Sequence, residues 1–336
     1  MAYTLEEIAA LAGVSRSTVS RVINDHPSVR AEVRDRVWQI IHQVGYQPHA
    51  AARSLVTNRT QVIGLIIPQA VTTIFTDPFF PLLIRGIADA CNTHRYHLML
   101  SLFSSRTEQE SLYRRVLKGG YLDGVIVAST MLDDPLIPRL LQDQASFVSV
   151  GRYPPDERVS YVDADNVGGA RMAVEHLLRL GHRRIAIVTG PLGMMAGQDR
   201  LEGYRQALES RGLPVEEALM AEGDFTESGG WMAMQRLLSQ KPTAVFVASD
   251  TMAIGAIKAL REAGLRIPDD VAVVGFDDLP AASIVEPALT TVRQPIERLG
   301  ATAVDVLLGL VEQRTEGPQK VVLPTELVIR ASCGAM

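Results

Sequence analysis

Seven short apolar runs, separated by amphipathic stretches, constrain this chain more than any other feature. "VIGLIIP" (62–68), "YHLMLSL" (96–102), "GVIVAS" (124–129) and "FVSVG" (147–151) come first. The rhythm then restarts with "RRIAIVTG" (183–190), "TAVFVASD" (243–250) and "DVAVVGFDD" (270–278). Runs that are apolar at nearly every position suit strands covered on both faces, and strands alternating with helical segments pair in parallel. The pattern predicts two α/β halves, each a doubly wound parallel sheet. Ligands of such sheets bind beyond the carboxyl ends of the strands, so a cleft between the halves is the expected site.

The first sixty residues read differently. The whole chain has a formal net charge of −5. Residues 1–60 hold seven arginines and no lysine against five acids, a balance of +2 that leaves −7 for the rest. Thr4-Leu5-Glu6-Glu7 matches the capping box, a hydroxyl at the helix start with an acid three residues on. The spacing predicts a helix over roughly 5–11, a break at Gly13, a second helix capped by Ser15 and running to about Ile23, and a third from about Ser28 to Gly45. Val14, Val19 and Val22 would pack inward, leaving Arg16, Ser17, Ser20 and Arg21 outward. Three short helices with a tight glycine turn between the first two describe a helix-turn-helix, whose second helix enters the DNA major groove. Arg16 could then give two hydrogen bonds to a guanine. A small helical bundle with a solvated polar face satisfies the same spacing.

"TLEEIAALAGVSRSTVSRVIN" followed by "VGYQPHAAARSL" resembles the LacI/GalR family of bacterial regulators. The matching elements include Thr18-Val19-Ser20-Arg21-Val22, Gly45-Tyr46 and Pro48…Ala52-Arg53-Ser54-Leu55. The resemblance continues through "GHRRIAIVTGP", "RLEGYRQAL", "ASDTMAIGAIKAL", Ile267-Pro268-Asp269-Asp270-Val271 and "LTTVRQP", covering essentially the whole chain. It implies DNA contacts from Thr4, Ser15, Arg16, Ser17, Thr18, Ser20, Arg21, Asn24, Tyr46, His49, Ala52, Arg53 and Leu55. It implies an all-α helix-turn-helix at 1–47, a hinge at 48–60, and a body at 61–336 like a type I periplasmic sugar-binding protein, crossed three times by the chain. The first subdomain would be about 61–161 and 292–323, the second about 162–291 and 324–331.

The hinge is the oddest stretch. Pro48 suits the first turn of a helix, where its missing N–H costs nothing, but a helix of about eight residues is unstable alone in water. Residues 49–56 are therefore expected to be helical only when docked on DNA, two such helices meeting over the minor groove. Leu55 would wedge between base pairs, at an unstacking cost of a few kcal/mol offset by further contacts. The resemblance places that wedge at a central CpG step of a palindrome. Packing of Leu55 on the next domain is the plainer alternative.

A sugar pocket needs carboxylates and amides for hydroxyls, and aromatic faces for the C–H side of a ring. Polar residues just past strand ends are candidates. Matching to family motifs favours Arg200 and Asp277, then Gln294, Ser249 and Asp250, with Phe79, Phe80 and Phe225 as aromatic walls and Arg152 as a donor or rim ion pair. Ser249 departs from the asparagine found there in the family. Asp250 could instead cap the helix opening at Met252, and Phe79 and Phe80 could not both face one way on a strand. Trp231 reads as core. "QAVTTIFTDPFF" is longer than the usual family loop before the pocket aromatics. With "VSYVDADNVGGAR" and "GPLGMMAGQDRLEGY", it resembles the branch responding to cellobiose and related β-glucosides or xylosides. A longer loop at the cleft mouth suits a ligand larger than one ring; maltose or a purine-like effector is the alternative.

Other classes find little support. No apolar run approaches the roughly 20 residues of a membrane helix, and "MAYTLEEIAA" lacks the features of a secretion signal, so a cytoplasmic protein is expected. Cys91 and Cys333 are too far apart in sequence to suggest a disulfide framework or a metal site. His176 and His182 read as structural. No serine-histidine-acid pattern has motif context, and the glycines of "GPLGMMAG" lack the Gly-Lys-Ser ending of a phosphate loop, so neither catalysis nor a cofactor is expected. "VIRASCGAM" carries no leucine heptads, which leaves a homodimer as the expected assembly. The partners are thus double-stranded operator DNA, a small saccharide and a second copy of the chain. Leu55→Ala is expected to weaken binding to a specific operator while leaving sugar affinity intact. Parallel DNA and sugar titrations check this, and unchanged operator affinity would remove the wedge.

Overall fold

The computed structural model describes residues 3–23, 26–46, 59–68, 71–103, 105–128 and 131–335. The chain divides into two units, one ending at Gln61 and the other beginning at Val62.

The first unit holds three helices, α1 (Leu5–Ala12), α2 (Arg16–Ile23) and α3 (Ala31–Val44). The capping box forms: the Thr4 hydroxyl accepts from the Glu7 N–H at 3.3 Å, and the Glu7 carboxylate accepts from the Thr4 N–H at 2.8 Å. Gly13 ends α1 in the left-handed region at φ +61°, where a side chain would be strained. Two residues later Ser15 Oγ accepts from the Thr18 N–H at 3.2 Å and opens α2. Ile8, Ala12, Val19, Val22, Val37 and Ile41 form the core, with Val14 at its edge. The third helix starts later than Ser28, because the Ser28 hydroxyl is bonded to His26 Nδ1 at 2.8 Å in the preceding turn. The expected hinge helix over 49–56 lies outside the described residues.

The second unit contains two six-stranded sheets. The first is built from β1 (Val62–Ile67), β2 (His97–Leu102), β3 (Gly124–Ala128), β4 (Phe147–Val150), β5 (Tyr161–Ala164) and β11 (Lys320–Leu323), in the order β11-β5-β4-β3-β1-β2. The second takes β6 (Ile185–Thr189), β7 (Met220–Glu222), β8 (Ala244–Val247), β9 (Ala272–Asp277), β10 (Thr290–Arg293) and β12 (Glu326–Val328), in the matching order β12-β10-β9-β8-β6-β7. All pairs are parallel except β10 with β12.

Alternation along the strands explains the apolar runs. In the first sheet Ile63, Leu65 and Ile67 face α5 (Phe79–Thr93) and α12 (Ile296–Val311), while Val125, Val127 and Ile66 face the opposite layer with α7 (Leu136–Gln142). In the second, Val245 and Val247 pack on α10 (Glu227–Leu238) and α11 (Asp250–Glu262). Ala244 and Phe246 pack on α8 (Asn166–Arg179) and α9 (Met195–Glu209). Strands covered on both faces are the ones written as unbroken apolar text.

Three expectations need correction. The chain leaves the first sheet after Ala164, not about 161, because Tyr161–Ala164 pairs with both β4 and β11. It returns after Arg293, not 291, since β10 stays in register with β9 through Arg293–Asp277. Phe79 and Phe80 lie on no strand: the long loop forms a short helix, α4 (Val71–Thr76), and both rings sit in the first turn of α5. The remaining α-helix among the described residues is α6 (Arg106–Leu112). Among the described residues no helix is long and apolar enough to cross a membrane.

Helices α5 and α12 touch through glycines: a side chain on Gly86 would meet the backbone of Glu297, and one on Gly300 the backbone of Leu83 and Ile87. Gly86→Val is expected to destabilise the second unit by roughly 1–3 kcal/mol, the usual cost of overpacking against atoms that cannot rotate away. Thermal unfolding checks this, each kcal/mol lowering Tm by about 2–4 °C in a unit of this size.

Candidate functional site

On α2 the side chains of Arg16, Ser17 and Arg21 are exposed, and Thr18 and Ser20 are half-buried. Arg16 pairs with Glu6 at 3.0 Å, both groups largely in solvent. Such a pair is weak and screened, so the guanidinium can exchange it for a stronger acceptor. Thr4 and Ser15 use their hydroxyls at the starts of α1 and α2. Tyr46 is half-buried against the helical core. Asn24, His49, Ala52, Arg53 and Leu55 lie outside the described residues.

In the body, the carboxyl ends of both sheets open onto a cavity of about 310 Å³. The first half contributes Asp77, Phe79, Phe80 and Met131, the second includes Arg200, Phe225, Ser249 and Asp277, and Gln294 comes from the crossing after β10. Arg200 is 5% exposed. Its Nε donates to Asn166 Oδ1 at 2.9 Å, and one terminal nitrogen donates to the Ala248 carbonyl at 2.5 Å. The same nitrogen lies 3.4 Å from Asp277, and the guanidinium stacks 3.8 Å above the Phe276 ring. Asp277 ends β9 at φ +116°, a conformation side chains rarely adopt. Such strain, of order 1–3 kcal/mol, clusters at ligand sites. Gln294, directly after β10, donates to Asp277 at 2.6 Å.

Phe225 also has positive φ, +64°. Its ring lies so close over Gly190 that a side chain there would collide with it. Phe79 and Phe80 meet edge to face at 5.5 Å, Phe80 buried and Phe79 half-buried. Ser249 lines the cavity and is also the N-cap of α11, accepting from the Met252 N–H at 3.2 Å.

Two candidates fall elsewhere. Asp250 neither caps the helix nor lines the cavity. Its carboxylate is fully buried behind the wall, accepting from the Leu279 N–H at 2.8 Å and the Thr291 hydroxyl at 2.6 Å. Burial, then the charge of Asp277, holds its pKa well above the usual range. Arg152 forms a two-point ion pair with Asp199 and borders a smaller cavity of about 90 Å³ beside the main one. The pair joins the end of β4 to the start of α9.

Sequence reasoning missed Asp77, Met131, Met194 and Asp224, all of which line the cavity. Asp77 had a local signal: it precedes Pro78 and its carboxylate accepts from the Phe79 N–H at 3.1 Å, opening α5. Met131 had none, since it comes to the cleft through the Leu132 N–H bond to the Gly193 carbonyl at 2.9 Å, a contact between the two halves. Trp231, read as core, packs on the core edge and also lines an open groove beside the cavity. His176 is buried with its Nε2 3.3 Å from Cys333 Sγ, and His182 bonds Thr243, so neither reaches the cavity. The cavity brings together a guanidinium, carboxylates, an amide and aromatic faces, with no histidine or cysteine in its lining. That set binds polar ligands by hydrogen bonds; it is not a nucleophile–base pair.

Residues 4–49 match the profile of bacterial regulatory proteins of the lacI family, and residues 174–333 match that of a periplasmic binding protein-like domain. The HTH-type transcriptional regulator CelR of Thermobifida fusca is 42% identical over 334 residues, 98% of each chain. A solved complex of transcriptional regulator CelR with cellobiose superposes with a TM-score of 0.79 at 40% identity, covering 98% of this chain and 99% of that one. The lac repressor dimer bound to operator and an anti-inducer superposes with a TM-score of 0.85 at 28% identity, covering 99% of each.

Burial raises the Asp277 pKa to about 7, against the opposing pull of Arg200 and with added repulsion from Asp77. An unfolded aspartate titrates near 3.9. Between about pH 4 and 7 the folded chain therefore holds a proton that the unfolded chain lacks. That stabilisation is complete below the unfolded value and is lost as pH rises through about 7. Wild type should lose Tm relative to Asp277→Asn between pH 5 and pH 8. An equal gap at both values would mean that Asp277 is ionised throughout.

Proposed function

The chain belongs to the lacI family of bacterial regulatory proteins, and we propose that it is a homodimeric, cytoplasmic transcriptional repressor whose grip on a palindromic operator is released by a disaccharide in the cleft, cellobiose or a related glucoside. One observation carries this reading. A chain with a helix-turn-helix also holds a cavity in which Arg200, Asp277 and Gln294 face the aromatic walls of Phe79 and Phe225. Sugar hydroxyls both donate and accept, so they satisfy a guanidinium, an amide and carboxylates together, while ring C–H groups lie on aromatic faces. The CelR–cellobiose complex, alike over nearly the whole chain, supports the choice of sugar.

The two α2 helices of a dimer would read successive major-groove faces, with Leu55 inserted at the centre. Filling the cleft draws the two halves of the body together about the three crossing segments. The spacing of the 48–60 linkers in the dimer then changes, and the paired hinge helices separate. The coupling is reciprocal: operator DNA must weaken sugar binding by the factor with which sugar weakens DNA binding.

Fluorescence anisotropy of a labelled palindrome with a central CpG, titrated with and without cellobiose at fixed salt, tests the reading; salt alone moves such affinities by orders of magnitude. Cellobiose should release the DNA from wild type. Asp277→Ala should hold the operator as tightly and lose the response, whereas an unchanged dose response in that variant removes Asp277 from the site.

A further inference from the structure

The exposed ion pair between α1 and α2 has a geometry that bears on how bases are read. Arg16 is the first residue of α2, at the end of a recognition helix that lies nearest the base edges. Glu6 stands in the first turn of α1, and its neighbour Glu7 is committed to the capping box with Thr4. Glu6 is therefore left to face the other helix, and it meets Arg16 at 3.0 Å. The short side chains around Arg16 are occupied with one another: Ser15 Oγ lies 2.8 Å from both Ser17 Oγ and Thr18 Oγ1. Arg21, on the same exposed face, makes no ion pair among the described residues. Of the two outward arginines of α2, one is held by an acid and the other is not.

The side from which Arg16 is held matters. The Glu6 carboxylate sits against Nε, leaving the two terminal nitrogens for another acceptor. Those two can donate together to O6 and N7 of a guanine, so the contact with Glu6 survives contact with a base. A phosphate is different. It carries a full negative charge and would be repelled by the carboxylate beside it, whereas guanine offers its acceptors without that charge. The acid thus turns its arginine from the backbone toward the base edges. It also limits the orientations of a long, rotamer-rich side chain before DNA arrives, which reduces what binding must order. The same charge stands near phosphates whatever the sequence, so it weakens binding to all DNA alike.

We propose that Glu6 is a positioning residue for operator recognition: it directs Arg16 to a guanine in the major groove and away from phosphates, lowering overall affinity while raising discrimination at that base pair. The inference rests on the operator-binding reading above.

Selection by the full chain from palindromes with a central CpG and randomised half-sites, followed by fluorescence anisotropy at fixed salt, tests this. The base pair read by Arg16 is the one at which wild type demands guanine and Arg16→Ala does not. There wild type should favour G over A by about tenfold or more per half-site, the range of one two-point contact. Glu6→Ala should reduce that ratio to about threefold or less, while binding random-sequence DNA about two- to threefold more tightly because a repelling charge has gone. Alanine is the best helix former and Glu7 keeps the cap, so the variant retains α1. In the Arg16→Ala background Glu6→Ala should leave the ratio unchanged, since nothing remains to be positioned; a further change there overturns the proposal. If Glu6→Ala alone shifts affinity for the G and A operators by one common factor, Glu6 acts only as a charge and the proposal is overturned. It is overturned equally if Arg16→Ala selects the same bases as wild type. If wild type selects no palindrome, the operator reading falls and this role with it.

Discussion

A guanidinium sealed from water must find an acceptor for its N–H groups and a counter-charge, because an unpaired buried ion costs several kcal/mol. Arg200 is that group here. It is held by the Asn166 side chain, the Ala248 carbonyl, the Asp277 carboxylate and the face of Phe276. These partners come from the first residue of α8, the segment after β8 and the last two residues of β9, while Arg200 itself lies in the first turns of α9. The carboxyl ends of the second sheet are therefore bound to one charge, and the strands must end where that charge can be met.

From Arg200 the bonding spreads to all three places where the chain crosses between the halves. Asn166 donates to Asp163 at 3.0 Å on β5, the strand just before the first crossing. Asp163 in turn accepts from the Arg152 N–H at 3.1 Å, and the Arg152 side chain pairs with Asp199, next to Arg200. Gln294 stands at the second crossing and donates to Asp277. Thr325 stands at the third, its hydroxyl donating to the Asp165 carbonyl at 3.3 Å. A ligand that takes over any partner of Arg200 or Asp277 thus alters bonds at the hinge itself. Two relative placements of the halves, differing in those bonds, are what a ligand with unequal affinity for them would redistribute.

Much of this was legible in the sequence because burial on both faces writes a strand as an apolar run. The two margin strands of the second sheet left no such trace. β7 reads Met-Ala-Glu and β12 Glu-Leu-Val, three residues each and partly exposed. The capping box and Gly13 fixed the first helix from local chemistry alone, and Ser15 did the same for the second. In the cleft, Arg200, Asp277 and Gln294 followed from family motifs and strand ends. Asp250 misled because an acid at a helix start resembles a cap. The helix begins at Asp250, two residues before Met252, so Ser249 became the cap and the Asp250 carboxylate turned inward to Leu279 and Thr291. Met131 shows the limit of sequence reasoning: only a contact between halves places it, and no local pattern encodes that contact.

The charge balance around the cavity narrows what can enter it. Asp277, Asp163, Asp250 and Asp199 all act on the one buried guanidinium, and Asp77 adds a further carboxylate at the cavity wall. Arg152 offsets Asp199, but the remaining carboxylates outnumber the cations, and burial first, then the charge of neighbouring carboxylates, raises the pKa of Asp277, Asp250 and Asp163. An anionic ligand would add to that repulsion. A cation would find carboxylates that are partly protonated and already hydrogen-bonded. An uncharged polyol meets neither cost: its hydroxyls can accept from Arg200 and Gln294 and donate to Asp277, whichever state that carboxyl is in. The excess of acid therefore favours a neutral sugar over a phosphorylated or acidic effector, from electrostatics alone and independently of any resemblance.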